Sequence, residues 1–284
     1  MLQAIRLLQT IDADSKPILV RASDGKAYVT KWVFRGRENR RLINELLAAA
    51  VLEHMAVLSP KVDVVLVTDE FIRKNRAQLQ RFFGKYFCNL KPGLVFASQV
   101  DEELERTSNT PPLERIVNLS DFHTALVTDV FLCQGDKRQA IFERISKRQY
   151  RAKFIDNANA LESTWWQFKT APNAVYYDKS VYSELTVQQI ETAIVKLSKM
   201  PRTVIENAIA QIPKEWIEGD RGQLEHVAKV LRQRQRNLRF LMHRFLHGDN
   251  AAFFPETLLR EIASRFELVA QGWVWSRPQQ PKRG

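Results

Sequence analysis

Lys31 stands in a run of large apolar and β-branched residues over 27–34, and Glu45 lies in the middle of the helical pattern that follows. An ammonium buried on a sheet needs a partner. A helix packed on that sheet can present a carboxylate to it, and such a pair holds a lysine ready for the phosphates of a nucleotide. Further on, Asp136 follows Gly135 in a turn between an apolar helix and a strand, and Asp156 ends the strand of Phe154-Ile155-Asp156-Asn157. Two carboxylates at strand ends across a hairpin can converge on one place. The chemistry that uses them is metal-assisted phosphoryl transfer: one Asp orients the attacking hydroxyl, the other holds Mg²⁺ between nucleotide phosphates. Gln139 offers an amide oxygen to the same metal. On residue type and spacing alone each has a plainer alternative, with Lys31 on the wet face of its strand, Glu45 a solvated helix residue, and Asp136 and Asp156 turn formers.

Periodicity and turn chemistry predict the elements that carry these residues. A short alternating run over 4–9, a strand with Ile18, Val20 and Ala22, and a turn at Ser23-Asp24-Gly25-Lys26 before the strand of Lys31 make a hairpin. A helix is expected over 38–55, where Leu42, Leu46, Ala49 and Ala50 share a face, with Ser59-Pro60 closing the region. A strand over 62–68, a helix capped by Asp69 and running through 81, and a strand over 93–98 follow. At 101–112 acidic residues, Thr107-Ser108-Asn109-Thr110 and paired prolines mark a lobe boundary. Beyond it come a helix capped by Ser120 and running to about 133, the turn Gln134-Gly135-Asp136, and β-like runs over 140–145 and 151–155. Helices over 186–199, 201–211, 222–247 and 255–269 complete the chain, punctuated by Pro201, Pro213 and Pro255.

Tyr28-Val29-Thr30-Lys31, Asn44-Glu45-Leu46-Leu47-Ala48-Ala49, the segment DVFLCQGDKRQAIF from Asp129 to Phe142, and Phe154-Ile155-Asp156-Asn157 occur in this order. In this the chain resembles the HipA-like kinases, the compact HipA-like kinase-domain proteins of bacteria, over roughly residues 1–220. The resemblance implies an α+β, bilobed, protein-kinase-like fold with ATP between the lobes. Residues 1–100 would form a small β-rich N-lobe with one long helix and residues 101–276 a mainly helical C-lobe with the catalytic and metal-binding segments, while the Lys, Arg and Pro content of residues 277–284 predicts a disordered basic tail. The resemblance further implies that Lys31 binds nucleotide phosphates, Glu45 anchors Lys31, Asp136 is the catalytic Asp, Arg138 lies beside the transferred phosphate, and Asp156 binds the metal. Gln139 stands in place of the magnesium-binding Asn of ordinary kinases. Ser15, in the segment Asp12-Ala13-Asp14-Ser15-Lys16 where a nucleotide-covering loop belongs, joins the cofactor-binding residues. That segment has no glycine, the family's glycine after Asp156 is missing in Asn157-Ala158, and Gln134-Gly135 replaces the asparagine before the catalytic Asp. The implied activity is ATP- and Mg²⁺-dependent transfer of a γ-phosphate to a hydroxyl, of Ser or Thr on a protein or of a small molecule. A degenerate nucleotide-binding pseudokinase is the nearest alternative.

Composition agrees with an anionic ligand. Forty-three Lys and Arg against 32 Asp and Glu give a formal charge of +11, with a pI near 9.7. Cys88 and Cys133 are too few for a disulfide framework or a Cys-rich zinc site and suit a reducing cytoplasm. No apolar run is long enough for a membrane span, and the amino terminus lacks a signal-peptide pattern. Neither G-x-x-x-x-G-K-[ST] nor G-x-G-x-x-G occurs. A rival from another class is nucleic-acid binding by the helix over 222–247, where Lys229, Arg232, Arg234, Arg236, Arg239 and Arg244 crowd with His243 and His247. The plainer reading of that helix is a solvated face. Trp165-Trp166-Gln167-Phe168 and Tyr176-Tyr177 are read as core packing rather than base-stacking platforms, and His54, His123 and His226 as structural.

Overall fold

The computed structural model describes residues 1–32, 39–168, 171–217 and 219–270. Residues 33–34 of the expected third strand, residue 38 of the expected first helix, and the expected tail over 277–284 lie outside the described residues. Five strands, β1 (Leu2–Thr10), β2 (Ile18–Ala22), β3 (Ala27–Lys31), β4 (Val62–Val67) and β5 (Gly93–Val100), close into a barrel in the order β1-β2-β3-β5-β4. Every neighbouring pair is antiparallel except β1 and β4, which meet in parallel at Leu2–Val65 and Gln3–Leu66. Closure leaves no open edge. Alternation does the sorting: Ile18, Val20 and Ala22 are fully buried while Leu19 and Arg21 between them are not. The hairpin turn is made by Gly25, whose φ of 81° suits glycine, and by Asp24, which accepts from the Lys26 amide at 3.0 Å and the Tyr28 hydroxyl at 2.9 Å.

The barrel interior is filled from one side by two short helices, α2 (Asp69–Lys74) and α3 (Arg76–Phe83), whose Phe71, Ile72, Leu79 and Phe83 join Trp32, Val65 and Val95 in one apolar cluster. One helix was expected here, capped by Asp69. Thr68 is the cap instead, its Oγ1 accepting from the Phe71 amide at 3.1 Å. The helix stops at Asn75, whose side chain donates to the Phe71 carbonyl at 2.8 Å and so competes with helix continuation.

Helix α1 (Asn39–His54) is buried on almost every side, because it packs both on β4 and β5 and on helices from the other half of the chain. There α4 (Ser120–Leu132) forms the centre, with buried residues from Phe122 to Leu132. It is surrounded by α5 (Val187–Ser198), α8 (Arg221–Arg236) and α9 (Leu238–Leu246). Ser120 does not cap α4; the helix starts after Leu119 without a side-chain cap, and Asn118 instead holds the Asp121 carboxylate at 2.8 Å and the Ala152 carbonyl at 2.9 Å. The other helices are α6 (Arg202–Ala210), α7 (Lys214–Ile217) and α10 (Glu256–Ala270). Strands β6 (Arg106–Thr107), β7 (Gln139–Arg144) and β8 (Tyr150–Ile155) make a second, three-stranded sheet. The expected helix over 222–247 is two, divided at Asn237. The fold is mixed α/β, and among the described residues no helix is long and apolar enough to cross a membrane.

Candidate active site

Lys31, the last residue of β3, donates to Glu45 Oε1 at 2.5 Å and to Asp156 Oδ1 at 2.7 Å. One ammonium thus joins the barrel, helix α1 and the segment after β8. Glu45 is 3% exposed and Asp156 34%, so the first carboxylate is a buried anchor and the second opens to solvent. Burial works against the charge on Lys31, but Glu45 and then Asp156 outweigh it and hold the ammonium above the usual lysine range. Burial likewise pushes the Asp156 carboxyl up, yet Lys31 and the Ala158 amide prevail and keep it below the usual carboxylate range.

The segment after β8 has an unusual backbone. Asp156, Leu161, Glu162 and Ser163 have φ between 57° and 61°, the left-handed region that few side chains adopt without support. Support comes from α1. The second oxygen of Glu45 accepts from the Asn157 amide at 2.9 Å. Next to it, the Asn44 side chain donates to the carbonyls of Ala158, Ala160 and Ser163 at 2.8, 2.7 and 2.9 Å and accepts from the Trp166 indole at 2.8 Å. The Asn-Glu pair of α1 is therefore a clamp on residues 156–166.

Asp136 is brought to the same segment from the other side. Helix α4 ends at Cys133 in the left-handed conformation, and the chain turns through Gln134 and Gly135. The Gly135 amide donates to the Asn159 carbonyl at 2.8 Å, and the exposed Asp136 carboxylate accepts from the Asn159 side chain. Gln139, exposed at the start of β7, donates its amide to Asp156 Oδ2 at 3.2 Å. Residues 7–246 match the family model of the HipA-like kinases. The chain belongs to that family.

A comparison of this HipA-like kinase with curated proteins gives no match. Among solved structures it is similar to the crystal structure of the Golgi casein kinase, with a TM-score of 0.54 and 12% identity over 87% of this chain and 73% of that one. The likeness is one of fold.

Of the residues expected at the site of a HipA-like kinase, Lys31, Glu45, Asp156 and Gln139 share one hydrogen-bond network, and Asp136 reaches the same segment through Asn159. Arg138, expected beside the transferred phosphate, is enclosed. It is 2% exposed, paired with Asp129 of α4 through Nε at 2.7 Å and through Nη2, while Nη1 donates to the Ile155 carbonyl at 3.1 Å and to Asn157 Oδ1 at 3.0 Å. A carboxylate buried on α4 needs a hydrogen-bonded cation, and Arg138 supplies it while tying the Asp136 turn to the end of β8. Ser15 sits in the turn between β1 and β2. The pairing of Ile18 with both Thr10 and Thr30 sets this turn at the barrel end that carries Lys31, but Ser15 is not in the Lys31 network. Its neighbour Lys16 reaches away to the Phe82 carbonyl at 3.3 Å.

Asn44, Asp129, Asn157 and Asn159 were not anticipated as site residues. Asn44 was visible beside Glu45, and the Asn-Ala-Asn run after Asp156 carried a signal of side chains able to bond backbone groups. Of the basic residues of α8 and α9, Arg234 is turned inward to the carbonyls of Val130 and Phe131 at 2.7 Å each, capping α4, and Arg239 pairs with Glu191 at 2.9 Å, while Lys229, Arg236 and Arg244 are exposed, as a solvated face requires. Trp166 and Tyr176 are core residues, whereas Trp165 and Tyr177 are 61% and 53% exposed, contrary to the expectation of core packing for both clusters. His123 is buried, with Nε2 at 2.9 Å from the Val181 carbonyl.

Proposed function

We propose that the protein is an ATP- and Mg²⁺-dependent kinase that transfers the γ-phosphate to a hydroxyl, of Ser or Thr on a protein. The barrel with α1, residues 1–100, acts as the nucleotide-covering lobe, and residues 101–276 act as the lobe that holds acceptor and metal. The observation that carries this reading is the Lys31 ammonium held between Glu45 and Asp156. A cation so held by one buried and one open carboxylate is poised to exchange the open partner for nucleotide phosphate, while Glu45 keeps it aimed.

Among the described residues no group of three or more His, Cys, Asp or Glu could hold a metal by itself. The donor set at the site, the Asp156 carboxylate beside the Gln139 amide, fits Mg²⁺, which is bound by one or two protein oxygens together with phosphates and waters. Asp156 and Gln139 would hold the ion, which supplies neutralisation of phosphate charge. Asp136 takes the acceptor proton, Lys31 binds the phosphates, and Ser15 covers the nucleotide from the turn above Lys31. Arg138 braces the Asp136 turn. Positioning and charge account for the chemistry, with no covalent intermediate required.

Calorimetry of ATP binding in the presence of Mg²⁺ tests this. Binding by the wild type that weakens about tenfold or more in both Lys31→Ala and Asp156→Asn is the expected outcome. Binding unaffected by both substitutions, or absent from the wild type, is the outcome against it.

A further inference from the structure

Asp136 projects from its turn with an exposed carboxylate that accepts from the Asn159 amide. That amide is itself oriented, because its oxygen accepts from Ser163 Oγ at 2.8 Å, which turns the NH₂ group toward Asp136. The backbone repeats the link through the Gly135 amide and the Asn159 carbonyl at 2.8 Å. A Cβ on Gly135 would stand 3.1 Å from that carbonyl oxygen, so the two segments approach about as closely as a glycine permits. Asn159 lies between Ala158 and Ala160, whose carbonyls Asn44 of α1 holds, so its own position is fixed from behind.

We propose that Asn159 is a positioning residue that aims the Asp136 carboxylate at the acceptor hydroxyl, with Ser163 setting the direction of the amide. The inference rests on the kinase reading above. In the transfer, the acceptor oxygen forms a bond to the γ-phosphorus as the bond from that phosphorus to the β,γ-bridging oxygen breaks. ADP leaves with the electron pair, and the hydroxyl proton passes to Asp136. A carboxylate that rotates off the line of the acceptor loses this step, and displacement by about 1 Å is enough to lower a rate ~100-fold. In this assignment Asn159 acts only through the Asp136 carboxylate. Its removal therefore acts on kcat and spares nucleotide affinity.

The test follows conversion of ATP to ADP by the full chain with Mg²⁺, water serving as acceptor and inorganic phosphate as the second product. Asp136→Asn is the reference for loss of the proton acceptor. Asn159→Asp keeps the size of the side chain and the acceptor for Ser163 but sets a second carboxylate against Asp136. It is expected to lower kcat about 100-fold, Asn159→Ala about 10- to 100-fold, and Ser163→Ala several-fold, with KM and calorimetric affinity for ATP within about twofold of wild type. The double substitution Asn159→Ala with Ser163→Ala is expected to be no worse than Asn159→Ala alone, since Ser163 acts through Asn159. Should Asn159→Asp misfold, Ser163→Ala and the double substitution give the same reading. Wild-type kcat in the Asn159 variants, or a loss that falls equally on ATP affinity, overturns the assignment and leaves the kinase reading intact. A wild type that binds ATP yet turns it over no faster than Asp136→Asn overturns this assignment, and a wild type that binds no ATP removes the kinase reading with it.

Discussion

Lys31 has two carboxylate partners of unequal exposure, and they do different work. Glu45 is buried with its second oxygen occupied by the Asn157 amide, so without Lys31 it is left as an unpaired charge. Lys31→Met is expected to destabilise the fold by about 3 kcal/mol, as breaking a buried pair does. Replacing Glu45 by Leu in the same chain should restore only part of that loss, because the unpaired buried charge is gone but the Asn157 amide loses its acceptor, and urea denaturation of the single and double variants checks it. Asp156 adds a pH dependence. Its folded carboxyl lies below the unfolded value of about 3.9, so its contribution is full above that pH and is lost as the pH falls through the folded value. The urea-midpoint advantage of the wild type over Asp156→Asn should thus be level between about pH 5 and 7 and shrink below about pH 4. An advantage that grows on acidification would show that the pair with Lys31 is not the source.

Helix α1 is the element on which the site depends. It carries Glu45 toward the barrel and Asn44 toward residues 158–166, and its start is locked to the other half by Arg40, which donates to Asp220 Oδ2 at 2.8 Å and to the Thr164 carbonyl at 2.8 Å. A run of left-handed residues does not persist on local preference, so the Asn44 amide is what holds it. Asn44→Leu, close in size, leaves the carbonyls of Ala158, Ala160 and Ser163 and the Trp166 indole without that partner. The expected cost is about 3 kcal/mol, read by thermal denaturation, accompanied by a change in tryptophan fluorescence as Trp166 loosens. A stability change under about 0.5 kcal/mol would mean that the segment is held by other contacts.

At the scale of the whole molecule, the charge of +11 is partly gathered on α8 and α9, where six Lys and Arg over 222–247 stand against one Glu. Helices α8 and α9 pack their apolar residues against α4 and α5, and Arg234 and Arg239 are engaged within the protein. Duplex DNA should therefore bind in the non-specific range of about 1–100 μM at physiological salt, with no sequence preference, as measured by fluorescence anisotropy. A nanomolar, sequence-dependent affinity would restore nucleic-acid binding as the principal activity.

Much of this molecule was legible in the chain because it depends on local pattern. The barrel strands alternate with period two, α4 and α5 have apolar stripes at helical spacing, and Lys31, Glu45, Asp136 and Asp156 stand in order on the elements that carry them. The breaks at Asn75 and Asn237 escaped periodicity because the apolar pattern runs on across each of them, and at Asn75 a single side-chain amide competes for a helical carbonyl. Arg138 was expected beside a phosphate because one dimension does not reveal burial; its partner Asp129 lies a turn and a loop earlier, and only the packing of α4 shows that both are enclosed. The sequence by itself determined which groups could do phosphoryl chemistry and which elements bear them, since residue type and spacing are properties of the chain. The tertiary structure alone decided that Asn44, Asn157 and Asn159 fasten those groups together, because their partners are distant in sequence and become neighbours only when α1, α4 and β8 share one core.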